Sequence, residues 1–576
     1  MGTRRLHVRR RCVKREKEHK TPRLNRDGIE RLVKIHKQLK EGRASMDAKW
    51  RDIARYIDPA MNWNEEPDPA QKPQETAHIY DTTAIKASNT LADGIQGYSF
   101  ARNQAWFKLE PEDTPEMSGG ESAWVQLAEK EMYRQMQKSN FYDEGRAFVK
   151  CAADFGTAVM TRTDDVVRRI PAYKTQHLKH CCIDENPCGE ADVLFRDFFA
   201  DAYKAAALFG LDRLPKAVRE AYDKGSLKLW KFTQAILPPD RYGLGIPAKE
   251  GYEYYSVYWA DIERDKAIMD GWFRQKPFFV WRWSRNLDGG VWGSDNPGMA
   301  ELADIKQANS VRADYSRIVQ QMGRPPIKAT EGLNGRINLK PNGVTSVRPG
   351  EDFTVVPVTG NAQGIMQDLA LLQRAINEAY YTDFFLILSQ NIEKQKTATE
   401  VAGIQGEKAV LMSAFYGRLS AEFLEPVLED LFNMELLSGR IPAPPESLAA
   451  RDERLRIDMV SPLAQMQRRY LTVGNSQQAI AEILALYQIR PEVADNLNLD
   501  LHVRNIADGY GIDKRVLVDM ADVERLRQAR ARQMAAQQQR METMAALDAG
   551  SKAAANASKS DPATLQAVAG AMGAAR

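Results

Sequence analysis

One stretch of the chain concentrates the residue types that bind metal ions. His177 and His180 are followed by the adjacent Cys181 and Cys182, and Cys188 lies a little further on. Zinc takes four ligands of these types, so the stretch could form a zinc site. Adjacent cysteines in a strand point to opposite faces, however, and the paired C-x-x-C spacing is missing. We therefore expect these cysteines to be core or loop residues, with no bound metal.

Sequence patterns of other catalysts are absent. An ATP-driven motor needs a phosphate-binding loop, G-x-x-x-x-G-K-[ST]; Gly360–Gly364 has neither the spacing nor the lysine. The patterns G-x-S-x-G and H-E-x-x-H do not occur either. No pair of carboxylates stands out from solvated helix faces. The sequence therefore predicts a protein that is not an enzyme and has no cofactor.

A basic loop, Lys394-Gln395-Lys396, is the second small feature with chemical potential. It separates two long stretches of helical spacing, and Ile392 is its only apolar neighbour. The residues alone allow an ordinary exposed connection between helices or a contact with phosphates. Lysine side chains would meet phosphates as mobile point charges, without reading base sequence.

Two long amphipathic segments must position this loop and a β-rich module between them. Apolar residues recur at steps of three and four over residues 298–322 and again over 365–389, which predicts two helices. The first ends at Gly323–Pro326, because proline cannot continue a helix. Turn dipeptides at Asn334–Gly335 and Asn342–Gly343 predict a small β module. The pattern leaves open whether these helices fold onto the rest of the chain or pack against neighbouring subunits.

The β module carries more basic than acidic side chains. Only Glu331, Glu351 and Asp352 oppose five cations. The basic residues are Arg324, Lys328, Arg336, Lys340 and Arg348.

A third helix is expected after the basic loop. Thr397–Glu400 has the pattern of a capping box, in which two side chains satisfy each other's backbone donors. The helix extends to Ser438, with Pro426 as a kink and Gly439 just past its end. The proline-rich start of residues 441–460 then predicts a linker.

Composition places the chain among ordinary globular proteins. It has 576 residues, 43% hydrophobic and 27% charged, and a net charge of +3. Residues 1–23 alone carry +8, so the body is slightly acidic and any DNA contact must come from local patches. Five cysteines do not make a disulfide framework, and no apolar run is long enough to span a bilayer. We expect a soluble protein of a reducing cytoplasm.

Residues 28–295 predict an α+β region. Its tyrosines and tryptophans are expected to fill a core between sheet and helices rather than to stack on bases. Helices are expected at about 28–58, 122–139, 142–153, 204–209 and 216–223, and strands at about 157–163, 192–198, 252–260 and 276–284.

A series of segments occurs in a characteristic order along the chain. They are Asp81–Thr82, Trp106–Leu109, Val319–Lys328, the Asn342–Gly343 module, Asp383–Leu386 and Thr397–Val401. In this order they resemble the head-to-tail connector family, the portal proteins of short-tailed, T7-like bacteriophages. The resemblance spans about residues 28–545, and its specificity lies in the order of the segments.

The resemblance implies an α+β, mainly helical fold with an α/β wing, a two-helix stem, a small β-containing clip, a long kinked helix and a helical crown. The implied divisions are a basic disordered arm (1–27), wing (28–295), first stem helix (296–324), clip (325–358), second stem helix (359–389), tunnel loop (390–398), wing-to-crown helix (399–440), linker (441–460), crown (461–545) and low-complexity tail (546–576).

The family also implies a function. The chain would form a homo-oligomeric ring, expected to hold twelve copies, at one capsid vertex of the virion, after assembly in the bacterial cytoplasm. Lys394, Gln395 and Lys396 would line the channel and touch double-stranded DNA without sequence specificity. The basic clip would dock the terminase large subunit, and later the tail adaptors; major capsid and scaffolding proteins are further partners, and a membrane is not.

Two other functions remain open at this point. One is a non-catalytic helical scaffold of low oligomeric order that binds protein partners. The other is a zinc-assisted nucleic-acid enzyme built on the His/Cys cluster.

Overall fold

The chain divides into two units, residues 1–470 and 471–576. The structure is a computed structural model. It describes residues 5–7, 24–61, 63, 76–112, 117–165, 170–286, 289–333, 337–338, 343–357, 362–389, 412–450, 454–468, 498, 500–501, 503–504, 518 and 520–557.

The first unit begins as a set of helices around antiparallel sheets, which confirms the predicted mainly helical α+β class. Its early helices are α1 (Arg26–Gly42), α2 (Ala44–Tyr56), α3 (Thr83–Ser99), α4 (Gly119–Lys138), α5 (Phe141–Phe155), α6 (Ala202–Phe209), α7 (Lys216–Asp223) and α8 (Pro297–Ala300). Trp50, Trp106, Trp259 and Trp281 are among its largest fully buried side chains. The aromatic residues thus fill the core, as predicted.

Two sheets lie in the region where strands were predicted. A three-stranded sheet has the order β10-β3-β4, and a five-stranded sheet runs in sequence order from β5 to β9. The strands are β3 (Thr157–Asp165), β4 (Ile170–Gln176), β5 (Cys181–Glu185), β6 (Ala191–Ala200), β7 (Trp230–Leu237), β8 (Tyr254–Ala260), β9 (Glu263–Phe273) and β10 (Phe278–Arg282).

The single helix expected over residues 28–58 is two helices, α1 and α2. The break lies at Arg43, whose side chain is buried and donates hydrogen bonds to the carbonyl oxygens of Leu178 (2.9 Å) and Lys179 (3.0 Å). Each helix buries its own apolar stripe, Ile29 and Leu32 in α1 and Trp50 and Ile53 in α2. The stripe was read correctly, but the break was not predicted.

The two central helices form a rod with a β hairpin at one end. They are α9 (Leu302–Gly323) and α10 (Ala362–Ala379), and the hairpin consists of β11 (Ile327–Ala329) and β12 (Phe353–Val355). The predicted second helix, over residues 365–389, is interrupted. Tyr381 has a φ of 52°, and a separate helix, α11 (Thr382–Ser389), follows it.

The third long helix is described from its middle onward. It comprises α12 (Ser413–Leu419), a π-helical turn at Ser420–Leu424, and α13 (Glu425–Ser438). The irregularity therefore lies one turn before Pro426, the predicted kink. Gly439 has a φ of 78° and ends the helix, as predicted. The capping box at Thr397–Glu400 lies outside the described residues.

The residues predicted as a linker contain regular structure. They hold α14 (Glu446–Ala450) and β13 (Arg454–Met459), and α15 (Pro462–Arg468) follows. β13 is the central strand of a sheet between β1 (Arg5–His7) and β2 (Phe107–Pro111). Residues 5–7 of the basic arm, expected to be disordered, therefore form an edge strand. The prolines at 442, 444 and 445 dominate the composition on which the linker prediction rests, whereas the strand in this segment begins only at Arg454.

The described residues of the second unit include a long helix, α16 (Met520–Ala557). Arg527 makes a two-pronged ion pair with Asp500, with both N–O distances at 2.6 Å. Fraying was expected after residue 548, but the helix continues to Ala557 because its Ala-rich sequence has high helix propensity.

Candidate functional site

The hairpin at the end of the rod holds part of the predicted basic surface. β11 and β12 pair in antiparallel register, with Lys328 opposite Thr354. Arg324, Lys328 and Arg348 are all exposed, and within the described part of the chain no ion pair involves them. Arg336 and Lys340 lie outside the described residues. Three of the five predicted docking cations are thus available to solvent on or next to the hairpin.

The hairpin also exposes apolar side chains. Val344, Val347, Val355 and Val356 are all exposed, Val344 most of all. Leu333 is buried within the module and gives it a small centre of its own. Exposed valines beside exposed cations form a mixed surface of the kind that binds protein partners.

The rod is buried only where it meets the body of the first unit. The buried side chains of α9 are Ile305, Ala308 and Ala313, and those of α10 are Leu369 and Ile376. Nearer the hairpin, the two helices border an open groove of about 320 Å³. The apolar side chains exposed along the rod are Val319, Met322, Met366 and Leu371. One copy of the chain therefore leaves much of the amphipathic stripe in water.

Polar contacts fix the inner end of the rod to the loop before α3. Asn309 accepts a hydrogen bond from the backbone N–H of Tyr80 (2.7 Å) and donates one to the carbonyl oxygen of His78 (2.9 Å). Gln373 donates to Asp81 (2.7 Å), and Lys306 pairs with Asp52 (2.6 Å). Both rod helices are thereby held to the same loop, so the direction of the rod is set by the body.

The predicted channel residues Lys394, Gln395 and Lys396 lie outside the described residues. Among the described residues nearest to them in the chain, Phe384 and Phe385 of α11 and Met412 are buried. The role of Lys394, Gln395 and Lys396 remains a prediction.

A buried polar cluster at the foot of the rod escaped the sequence analysis. Asp154 is fully buried in α5; its carboxylate accepts a hydrogen bond from Ser88 (2.8 Å) and lies 3.3 Å from Lys150 Nζ. Lys150 also pairs with Asp58 at 2.8 Å. The signal was available: Asp154 lies on the apolar stripe of α5, where an unpaired charge would be costly. Burial raises the pKa of Asp154 to about 6, although Lys150 opposes that effect.

We expect the stability of the first unit to gain a pH-dependent contribution from Asp154. The folded pKa is about 6, and that of an unfolded aspartate is about 3.9. Between these two pH values the Asp154 carboxyl is more fully protonated in the folded state than in the unfolded state. The contribution of Asp154 to the free energy of unfolding therefore increases as the pH falls from about 7 towards 4. The effect is on the order of 1–3 kcal/mol.

The measurement is the free energy of unfolding of the parent and of Asp154→Asn at pH 7, 6 and 5. The variant cannot titrate at this position, so the difference between the two proteins should shift in favour of the parent as the pH falls. A constant difference across that range would contradict the assignment.

The His/Cys stretch is divided between different cores. Cys181 belongs to the large core and Cys182 to a separate core against α1, because neighbouring strand residues face opposite ways. Burial raises the pKa of Cys181 to about 12 and that of Cys182 to about 11, which keeps both as thiols. Arg43 donates a hydrogen bond to the carbonyl oxygen of Cys181. Cys181 and Cys182 are thus core residues next to a buried guanidinium, whereas Cys188 is exposed and His177 and His180 are half-buried. Within the described residues no group of metal-ligand side chains comes together.

A charge network joins the π-helical turn to the sheet. The buried side chain of Arg282, in β10, donates to Glu422 of the turn (2.8 Å) and to Glu185 of β5 (2.7 Å). Its backbone N–H donates to the other carboxylate oxygen of Glu422 (2.9 Å). The extra residue of a π turn rotates the helix locally, and here it aims Glu422 at the strand. The third helix is therefore fixed to the body just before Pro426.

Known proteins of similar sequence indicate the family in which these features occur. The sequence matches the family described as bacteriophage head to tail connecting protein over residues 30–517. It is 28% identical over 557 residues to the portal protein of Salmonella phage epsilon15, covering 95% of this chain and 98% of that protein. It is also 26% identical over 515 residues to the probable portal protein of Bordetella phage BPP-1, covering 87% and 91% of the two chains. Among the helices of the described residues, none combines the length and apolarity needed to cross a bilayer.

Proposed function

The chain belongs to the bacteriophage head to tail connecting protein family, and from this premise we propose how its parts serve a viral portal. Its function is that of a viral portal protein, and the resemblance noted from the residues is confirmed. Such a protein is a component of the virion at one vertex of the capsid. Its role is structural: the genome passes through it, and other proteins attach to it.

We propose that the rod is the stem of the portal and that stems pack side by side in a ring of twelve copies. The supporting observation is the set of apolar side chains that α9 and α10 leave exposed in one copy, Val319, Met322, Met366 and Leu371. Burial of apolar surface drives association, and a head-to-tail interface closes into a ring when the rotation permits. The capsid vertex then supplies the contact with major capsid and scaffolding proteins during assembly in the host cytoplasm.

The test is direct imaging of the purified full chain. Negative-stain micrographs should contain closed rings with a central hole, and light scattering should give a mass near twelve times 65.0 kDa. A sharp monomer at micromolar concentration would contradict the ring and would favour the alternative of a low-order helical scaffold.

We propose that the hairpin module is the clip, where the terminase large subunit docks during packaging and tail adaptors bind afterwards. The motor would supply the energy of translocation, because the sequence contains no phosphate-binding loop of its own. The exposed cations Arg324, Lys328 and Arg348 and the exposed valines of the hairpin support this assignment.

Reversing charge on the clip should weaken motor binding while rings still form. The variant is Lys328→Glu combined with Arg336→Glu and Lys340→Glu. Each rim charge contributes mainly to the association rate, so we expect a loss of about tenfold in affinity at low salt that shrinks as salt is added. Binding of the purified ATPase to immobilised rings measures it.

A matched control is Arg213→Glu combined with Arg219→Glu and Lys224→Glu, three charge reversals at exposed positions on and beside α7, outside the rod and the hairpin. Loss of rings with motor binding unchanged per ring would show that the module is an assembly element rather than a docking surface.

We propose that Lys394, Gln395 and Lys396 form the tunnel loop that touches DNA in the channel. In a ring of twelve copies the two lysines would contribute about 24 ammonium groups, and each phosphate contact steepens the logarithmic salt dependence of affinity by roughly one unit. Mobile lysines suit a sliding contact better than bidentate arginines.

Changing Lys394 and Lys396 to alanine should leave ring formation and motor docking intact. Packaged DNA should then leak faster or move at a different rate, whatever its sequence, because the contact is to phosphates. The experiment compares packaged length and leakage in particles with parental and variant rings, at low and high salt. Equal values at both salt concentrations would leave the loop as a plain connection between helices.

A further inference from the structure

The joint between α10 and α11 adopts a backbone conformation that its sequence does not favour. α10 ends at Ala379, α11 begins at Thr382, and Tyr381 between them has a φ of 52°. A bulky residue rarely enters this left-handed region, so contacts around the joint must hold it there. Those contacts identify what keeps the second rod helix and α11 from forming one straight helix.

The neighbouring Tyr380 supplies the first contact. Its side chain is fully buried, and its hydroxyl donates a hydrogen bond to the carboxylate of Asp154 at 3.3 Å. Burial and the adjacent carboxylate raise the pKa of Tyr380 well above its usual value, so the hydroxyl remains a donor. At 3.3 Å this bond is longer than the usual range for a hydroxyl donor and an oxygen acceptor, which makes it easier to open than the 2.8 Å bond from Ser88.

Asp154 also contacts the segment that leads into the other rod helix, α9. The side-chain amide of Asn296 donates to its backbone carbonyl oxygen at 2.7 Å. Gly298 of α8 packs so closely that a Cβ there would lie 2.2 Å from the same oxygen. α8, which directly precedes the first rod helix, is therefore seated on the backbone of Asp154, and Tyr380, just past the end of the second rod helix, is bonded to the side chain of Asp154.

α11 rests on α3 through a close contact that is separate from Asp154. A Cβ at Gly94 of α3 would lie 2.2 Å from the ring of Phe385, so the ring occupies the space that glycine leaves. Phe384 and Phe385 are both buried at this seat. α11 is thus held at two points, the seat on α3 and the bond from Tyr380 to Asp154.

We propose that the hydrogen bond from Tyr380 to Asp154 is a latch that keeps the joint bent and α11 seated on α3. When the latch opens, α11 loosens while the rod keeps its place, because α9 and α10 are held independently through Asn309 and Gln373. Any consequence for the channel rests on the proposed function, in which the basic loop follows α11 directly. The latch itself is a property of the folded chain.

Hydrogen exchange on the full chain tests the latch through Tyr380→Phe, which removes the hydroxyl and keeps the ring. Backbone amides of α11 should exchange about tenfold faster than in the parent, the size expected for one lost hydrogen bond to a charged group. Amides of α9 and α13 should be unchanged. Gly94→Ala provides the reference for an unseated α11, since the added methyl group displaces the ring of Phe385.

The matched control is Tyr416→Phe, which removes another buried hydroxyl, 2.8 Å from Ser461 Oγ. It should leave exchange in α11 at the parental rate. The latch is wrong if Tyr380→Phe exchanges like the parent in α11, or if it accelerates all helices of the unit alike. Exchange is measured without DNA, so these outcomes are independent of whether Lys394 and Lys396 retain DNA in particles.

Discussion

Leu371→Asp should convert rings of this protein into monomers. Leu371 lies on α10 with 67% of its surface exposed in a single copy, the largest value among the large apolar side chains of α9 and α10. Burying a leucine contributes about 1.5–3 kcal/mol, and a carboxylate in the same place costs several kcal/mol unless it is paired. Each contact between neighbouring stems should therefore weaken by about a thousandfold.

The measurement is mass by light scattering between about 1 and 50 μM. The monomer should be folded, because the substituted side chain is exposed before assembly, and its far-ultraviolet circular dichroism should match that of the parent.

Leu227→Asp is the matched control, since Leu227 is 68% exposed but lies outside the rod, after α7. It should still form rings. If both variants form rings, the rod does not make the interface; if both fail, the effect is not specific to the rod.

Gly298→Ala should destabilise the first unit by about 2–3 kcal/mol, as overpacking at an unyielding site does. The new Cβ would lie 2.2 Å from the carbonyl oxygen of Asp154 and 2.8 Å from its carbonyl carbon and Cα. These are backbone atoms, so no side-chain rotation relieves the overlap and either α5 or α8 must move. The buried residues Trp50 and Trp292, whose ring centroids are 4.9 Å apart, lie in the large core of the first unit.

Urea unfolding followed by tryptophan fluorescence measures this change, at a concentration where all variants have the same oligomeric state. Gly323→Ala is the control, because nothing lies within 4 Å of a Cβ at that position, at the end of α9. Gly323→Ala should increase the free energy of unfolding by less than about 1 kcal/mol. Equal midpoints for the two variants would mean that the seat on Asp154 is not tight.

The parts of the fold that could be predicted are those encoded by local spacing. The stripe of α9, the proline stop after it and Gly439 at the end of α13 each depend on residues within a few positions, and each was found. The helix break at Tyr381 has no local signal, because tyrosine is neither a breaker nor a favoured left-handed residue. The contact that we propose to hold it, from Tyr380 to Asp154, joins positions 226 residues apart.

The residues of the candidate sites could be singled out by type from the sequence, but their contacts with distant parts of the chain could not. Lys328 and Arg348 were singled out by charge, and both are exposed. The cysteine pair was correctly expected to point to opposite faces, because strand alternation is a local rule. That Arg43 would be buried against Cys181 could not be foreseen, since the contact joins positions 138 residues apart.

β2 is synthesised well before β13, the strand with which it pairs, so formation of this sheet is delayed. Arg456 of β13 lies 346 positions beyond its partner Glu110 in β2. At a ribosomal rate of 5–20 residues per second, β2 leaves the ribosome roughly 17–70 s before the strand that completes its sheet. β1 is synthesised before β2 and also pairs with β13, so the interval before it can pair is longer still. During that interval Phe107 and Leu109, buried in the finished fold, are open to other nascent chains on the same message. Production of this protein should therefore depend on chaperone supply and improve when translation of residues 112–459 is not slowed.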